Sequence, residues 1–218
     1  MELERMSSFF DVRADSYDSH MLDELGLAEF YDEIEGSLRD CHRLDKILDL
    51  GCGTGLELER LFRINGKAEV TAIDLSDRML MILKEKFPDK LGQIKLVHGS
   101  YMDTDLGSEA YDCVFTTYSL HHFEVDEKLA LYRRIHDSLK QGGCFIEGDY
   151  TAKTQEEERD LAALNRKLRK EAGIDSGFYH FDIPLTIETE RKVLKEAGFS
   201  KAEVRRKWEK TTIFICNK

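Results

Sequence analysis

The sequence predicts an α/β fold: a doubly wound, mostly parallel sheet of seven strands, with an antiparallel last strand and a helical cap inserted late in the chain. Three observations lead there. Short apolar runs alternate with amphipathic helical segments from residue 46 to residue 150, which implies a parallel sheet with helices on both faces. A glycine cluster, Gly51, Gly53 and Gly55, falls between the first strand and the first helix of that series. The last two strand-like runs lie too close together for a crossover helix, so they pair as an antiparallel hairpin at the sheet edge.

The elements follow in order. Lys46-Ile-Leu-Asp-Leu50 is a short apolar run entering the glycines and reads as a buried strand. Thr54 to Arg63 reads as a helix, with Asn65-Gly66 as its left-handed stop. Glu69 to Ile73 is the second strand. Ser76 can cap a helix that runs to about Phe87, where Pro88 ends it. Gln93 to His98 and Asp112 to Thr116 are the third and fourth strands. Leu129, Tyr132, Ile135 and Leu139 line one face of a helix that stops at Gly142-Gly143, and Cys144 to Glu147 is the fifth strand. Thr154 with Glu157 opens a further helix carrying Leu161, Leu164 and Leu168 on one stripe, a surface for core or dimer contact, with Gly173 as its end. Thr186 caps the last helix, which ends at Gly198. The final strands lie near Ala202–Lys207 and Thr211–Cys216. The organisation expected is an N-terminal helical lid over 1–45, a core over 46–150, a cap over 151–185 on the carboxyl side of the sheet, and the rest of the core over 186–218.

Composition narrows the function. With 218 residues the chain is one domain. Its formal charge of −11 argues against nucleic acid or an anionic membrane as a partner. No apolar run approaches the ~20 residues of a membrane span, and Met1 to Arg5 are acidic and lack a signal-peptide core. The five cysteines (41, 52, 113, 144 and 216) are scattered, odd in number and without a CxxC pair. That argues against a disulfide framework and a cysteine-built zinc site, and for a reducing, cytoplasmic location. No spacing of His, Cys and carboxylates supports a metal site.

The chemistry-bearing residues begin with Asp49-Leu-Gly-Cys-Gly-Thr-Gly55. Glycines between a strand and a helix let the backbone turn sharply and approach a ligand. Asp74 stands 19 residues past Gly55 at the end of the second strand, where doubly wound folds place an acid that accepts from ribose hydroxyls. The dinucleotide pattern needs a third glycine that Leu56 does not supply. Asp49, inside the strand, would repel a pyrophosphate and attract an ammonium. The ligand read from these residues is a nucleoside carrying a cationic or zwitterionic group.

At these residues the chain resembles the class I S-adenosylmethionine-dependent methyltransferases, small-molecule type. Ile47 to Gly55 resembles their first motif, Val70-Thr-Ala-Ile-Asp-Leu-Ser76 their strand-two motif, and Tyr111 to Phe115 through Ser119-Leu-His-His-Phe123 their strand-four motif. Leu139-Lys-Gln-Gly-Gly-Cys-Phe-Ile146 is similar to their turn into strand five. Phe10, Ala14, Tyr17 and Asp18 match a pattern seen ahead of the core in many small-molecule members. The resemblance implies a Rossmann-like fold and S-adenosylmethionine as cofactor. It implies that Asp49 holds the methionine amino end, that Gly51 and Gly53 let the cofactor lie against the loop, that Asp74 binds the ribose and that Leu75 flanks the adenine. Ser100 stands where relatives often carry an acid, with Tyr101 and Met102 placed to pack on the ring. Tyr17 is a candidate for the methionine carboxylate.

Methyl transfer runs largely on positioning and water exclusion. His121 and His122 follow strand four at the level of the methyl group. Adjacent residues are not expected both to face the site, so one reads as a base or orienting group and the other as packing. Of Glu147, Asp149 and Tyr150 at least one is expected in the acceptor pocket, and Phe178-Tyr-His-Phe-Asp182, with Tyr179 and His180, is expected to wall it. Arg205-Arg206-Lys207 reads as a solvated strand end. The leading function is methyl transfer to a small-molecule acceptor. Modification of a transfer-RNA base, and a non-catalytic cofactor-binding partner subunit, are the alternatives. The acceptor atom and the oligomeric state are open.

Overall fold

A computed structural model describes residues 3–218; Met1 and Glu2, the first two residues of the expected lid, lie outside the described residues. The strands are β1 (Lys46–Leu50), β2 (Glu69–Asp74), β3 (Ile94–His98), β4 (Tyr111–Thr117), β5 (Leu139–Tyr150), β6 (Lys201–Lys207) and β7 (Thr211–Asn217). They form one sheet in the order β3-β2-β1-β4-β5-β7-β6. The first five are parallel, and β7 runs antiparallel to both of its neighbours. The strand order reverses between β1 and β4, and a crevice opens there at the carboxyl ends.

Alternation along the central strands feeds two apolar layers. Ile47, Cys113, Phe115 and Ile146 enter one, with Phe30, Ile34 and Leu38 of α3 (Ala28–Arg39), Leu58 and Leu61 of α4 (Leu56–Ile64) and Leu80 and Leu83 of α5 (Asp77–Lys86). Leu48, Val114 and Phe145 enter the other, with Leu131 and Ile135 of α6 (Val125–Ser138) and Val193 and Leu194 of α8 (Ile187–Glu196). Between β5, α6 and α8 lies a buried polar knot. Lys128 Nζ is 2.5 Å from Glu190 and 3.3 Å from Glu147, and the Tyr132 hydroxyl donates to Glu147 at 2.8 Å and to Glu190 at 2.5 Å. Burial and the neighbouring Glu190 push Glu147 up to about 8.

Side-chain caps open the four helices α5, α6, α7 (Gln155–Glu171) and α8. Ser76 Oγ accepts from the Met79 amide at 3.1 Å, and Thr186 Oγ1 from the Thr189 amide at 3.2 Å. Three boundaries differ from expectation. The helix expected from Thr54 begins at Leu56, because Gly55 takes a left-handed φ of 81°. Asn65-Gly66 is not a left-handed stop: Asn65 is extended, and its side chain donates to the Leu44 carbonyl at 2.9 Å. Gly142-Gly143 does not end a helix; α6 ends at Ser138 and β5 begins at once.

Cys41 and Cys144 are joined as a disulfide, contrary to the expectation from composition, because the turn after α3 sets Cys41 against β5. Composition registers spacing along the chain and misses this pairing across 103 residues. The leucine stripe of α7 (Gln155–Glu171) is not core. Leu164 is 42% exposed, and Asn165 is the helix's buried residue. Arg205 and Arg206 pair with Glu33, Asp40 and Glu29 of α3 and its end.

The segment before α3 lies over the carboxyl ends as α1 (Met6–Arg13), a 3-10 turn (Ala14–Ser16), α2 (Tyr17–Ser19) and a π turn (His20–Glu24). Asp11, Asp15 and Asp18, at helical spacing, fasten it to the sheet side. Asp11 accepts from Ser76 Oγ at 2.5 Å, Asp15 from Arg78 at 2.6 Å, and Asp18 from Lys86 at 2.7 Å and from Thr54. The 151–185 segment closes the same end. The Arg5 and Tyr179 backbones form a bridge, and the Ile183 amide donates to the His121 carbonyl at 2.7 Å.

Candidate active site

After β1 the backbone turns so that the Gly51 and Cys52 amides both donate to the Ile73 carbonyl, at 2.9 and 3.1 Å. Gly51 has φ 74°, and a Cβ there would stand 2.9 Å from Ser119 Cβ. Only glycine fits. Asp74 closes the loop: its carboxylate accepts from the Gly53 amide and from the Ser76 amide, each at 2.8 Å. Burial raises its pKa above the ordinary carboxylate value. Asp49 is 1% exposed, and its Oδ2 has no hydrogen-bond partner among the described residues. Burial, with Glu57 and Asp74 nearby, pushes its carboxyl well up.

Gly51, Gly53 and Asp74 border a narrow cleft of about 40 Å³, with Leu75, Tyr101 and Met6, Phe10 and Tyr17 of the N-terminal segment among its other walls; Asp49, buried, is not among its lining residues. Tyr101 reaches it with its hydroxyl fixed on Ser119, 2.8 Å from Oγ. Ser100 and Met102 are not among its lining residues. Ser100 Oγ is turned back to accept from the Met102 amide at 3.0 Å, and Met102 packs on the second apolar layer. Met79, Thr117, Tyr118 and Ser119 line the cleft without having been singled out in the sequence. Among the described residues, Tyr118 is one of two non-glycine residues with positive φ, at 48°, a strained setting for a side-chain-bearing residue.

A second cavity, of about 370 Å³, shares Phe10, Tyr17 and Tyr118 with the cleft. His121, His122, Tyr150 and His180 all line it. Both adjacent histidines reach the cavity, contrary to expectation, because they sit in a turn after β4 and not on the strand; their ring centroids are 3.9 Å apart. Tyr179 is outside the cavity lining. Its ring lies against Arg5 and Arg169, with their guanidinium carbons 5.7 and 5.5 Å from its centroid. Of the strand-five trio, Tyr150 lines the cavity, Asp149 is buried behind His121, and Glu147 faces Lys128.

His121 is the best-anchored of these groups. Asp149 Oδ1 is 2.5 Å from its Nδ1, while Asp149 Oδ2 accepts from the Leu120 and His121 amides at 2.7 and 3.1 Å. Burial alone would lower its pKa, but Asp149 and Asp182 outweigh burial and push it up to about 9. His122 Nδ1 meets the Phe181 carbonyl at 3.2 Å, and its Nε2 has no partner among the described residues. Burial and the adjacent His121 hold it down to about 3. His180 stacks on Phe9 of the lid at 3.6 Å. Asp182 was quoted in the sequence only as part of an aromatic segment. It joins the group with Oδ1 3.4 Å from His121 Nε2 and 3.4 Å from His122 Nδ1.

A glycine loop bent beneath a strand-two acid, at the switch point of a 3-2-1-4-5-7-6 sheet, defines the class I methyltransferase fold. Residues 47–143 match the family model described as a methyltransferase domain. The chain is thus similar, over that stretch, to methyltransferase domains. It is 29% identical over 217 residues to a demethylmenaquinone methyltransferase from Chlorobaculum parvum, covering 90% of this chain and 85% of that one. It is 26% identical over 187 residues to a carboxy-S-adenosyl-L-methionine synthase from Nautilia profundicola, covering 80% and 77%. A structure of an S-adenosylmethionine-dependent methyltransferase from Clostridium acetobutylicum shares the fold with a TM-score of 0.67 and 17% identity, over 93% of this chain and 98% of that one. The chain spans 60% of a Nostoc punctiforme structure that it matches with a TM-score of 0.72 and 22% identity over 96% of its own length. Among the described residues no helix is long and apolar enough to cross a membrane.

Proposed function

We propose that the protein transfers a methyl group from S-adenosylmethionine to a small-molecule acceptor held in the larger cavity. The observation that carries this reading is the common wall: Phe10, Tyr17 and Tyr118 border both the cleft of the glycine loop and the cavity of the histidines. Donor and acceptor bound on either side of it would meet there. The residues of the cleft, with the buried Asp49, fit the cofactor. Asp49 offers a buried carboxylate oxygen with no partner to an ammonium group, Asp74 retains acceptor capacity for ribose hydroxyls, and Gly51 leaves room where any side chain would collide.

When bound, the cofactor supplies an electrophilic methyl carbon. The chain supplies position and dryness. Phe9, Phe10, Tyr17 and Tyr150 give the acceptor flat apolar walls, and Asp182, His180 and Arg13 give it polar contacts at the edge. His121, locked by Asp149, orients the acceptor, and His122 offers it a hydrogen bond. No dedicated base is required where proximity and exclusion of water lower the barrier. A screen of metabolites for release of S-adenosylhomocysteine, with the mass of each product measured, tests the reading. Methylated acceptor supports it. Cofactor binding with no release across a broad library, or a product in which the cofactor itself has gained mass, overturns it.

A further inference from the structure

We propose that His121, His122 and Asp182 form a binding site for a divalent transition metal ion of the zinc class, opening on the larger cavity. One donor atom from each lies within 4.8 Å of the others. The separations are those of a metal's donor set. In a tetrahedral site, bonds of about 2.0–2.1 Å place neighbouring donors roughly 3.3–3.4 Å apart. Asp182 Oδ1 stands 3.4 Å from a nitrogen of each of the two histidines. His180 Nε2 lies 3.8 Å from the same oxygen, flanking the remaining position.

One further feature belongs to such a site. The histidine ligands of metals commonly direct their other ring nitrogen at a carboxylate, which fixes ring orientation; His121 does so to Asp149 at 2.5 Å. His122, 8% exposed, has no partner at Nε2 among the described residues, while Nδ1, the nitrogen 3.4 Å from Asp182, meets the Phe181 carbonyl at 3.2 Å and must release it to ligate. Two imidazoles and one carboxylate select zinc, iron, cobalt or nickel over magnesium or calcium, which prefer all-oxygen shells. Three protein ligands at the edge of a cavity leave a position for an acceptor oxygen or a water. The inference shares residues with the proposed acceptor contacts but does not need them, because metal binding is read without acceptor or cofactor.

The test uses the full chain, free of any histidine tag, stripped with a chelator and dialysed against Zn²⁺ or Co²⁺. About one ion per chain is expected, as for a single three-ligand site, with visible d–d bands in the cobalt form. Asp182→Ala, at a half-exposed position, should fold with an unchanged circular-dichroism spectrum and bind Zn²⁺ at least about tenfold more weakly. A stripped protein that takes up neither ion overturns the site. So does Asp182→Ala with unchanged affinity. A cobalt spectrum dominated by thiolate charge transfer also overturns it, placing the ion on a cysteine instead.

Discussion

The Asp74 carboxylate accepts the Gly53 amide proton at 2.8 Å, so the acid at the end of β2 holds the very loop that follows β1. Its other oxygen holds the Ser76 amide. Asp74→Ala therefore strips two backbone donors of their acceptor, at roughly 1–3 kcal/mol for each left buried. The variant should melt at a lower temperature and bind S-adenosylhomocysteine about tenfold or more weakly, a loss of about 1.4 kcal/mol or more. Asp74→Asn, which keeps one acceptor oxygen, should fall between. Calorimetric titration and thermal melting check both; wild-type affinity in folded Asp74→Ala contradicts the ribose assignment.

The cleft holds about 40 Å³, whereas ligand pockets commonly run to several hundred. Met6, Phe10 and Tyr17 of the N-terminal segment line it, and under the proposed function that segment would swing outward to admit a nucleoside. Asp15→Ala removes the exposed ion pair to Arg78 and should raise the opening of this segment modestly. Hydrogen exchange over residues 6–24 should quicken in the variant and slow when S-adenosylhomocysteine is added. Exchange that ignores both changes would show a fixed lid.

Glu57 is buried, accepts from Thr117 and is held up to about 7 against an ordinary 4.5, with burial as the main cause. The folded state thus keeps the proton more tightly than the unfolded chain. This contribution to stability is complete below about 4.5 and is lost as pH rises through about 7. Denaturant melts from pH 4.5 to 8 should show a stability loss in the wild type that Glu57→Gln flattens. Parallel profiles for the two proteins would exclude it.

His180 stacks on Phe9 at 3.6 Å and lines the larger cavity, with no place in the cleft lining. His180→Ala should lower turnover of the acceptor by roughly tenfold, the cost of about one good contact, and leave S-adenosylhomocysteine affinity close to wild type. The reverse pattern would move the histidine's role to the cofactor.

What was legible in the sequence was local. Asp49 to Gly55 spans one turn, and the spacing to Asp74 is fixed by one helix and one strand, so pattern alone located the cleft. His121 and His122 were legible as the continuation of β4. Asp182 was not legible as their partner, because sixty residues and a whole helix separate them and only the path of the cap brings them together. That the Ser100 hydroxyl caps its own turn was not legible either, because the bond to the Met102 amide depends on a side-chain rotamer that pattern does not report. The α7 leucines show the limit of periodicity, which reports that a helix has two faces without saying what, if anything, covers the apolar one.

Phe10 and Tyr17 wall both cavities, and Phe9 of the same helix carries the stack to His180. Under the proposed function, an N-terminal segment that lifts as one piece would open the cofactor cleft and the acceptor cavity together. Each exchange of spent cofactor would then expose the acceptor chamber to solvent and let a waiting product leave. An acceptor with two reactive positions would accumulate first as the singly methylated compound, the second methyl arriving only after a separate encounter.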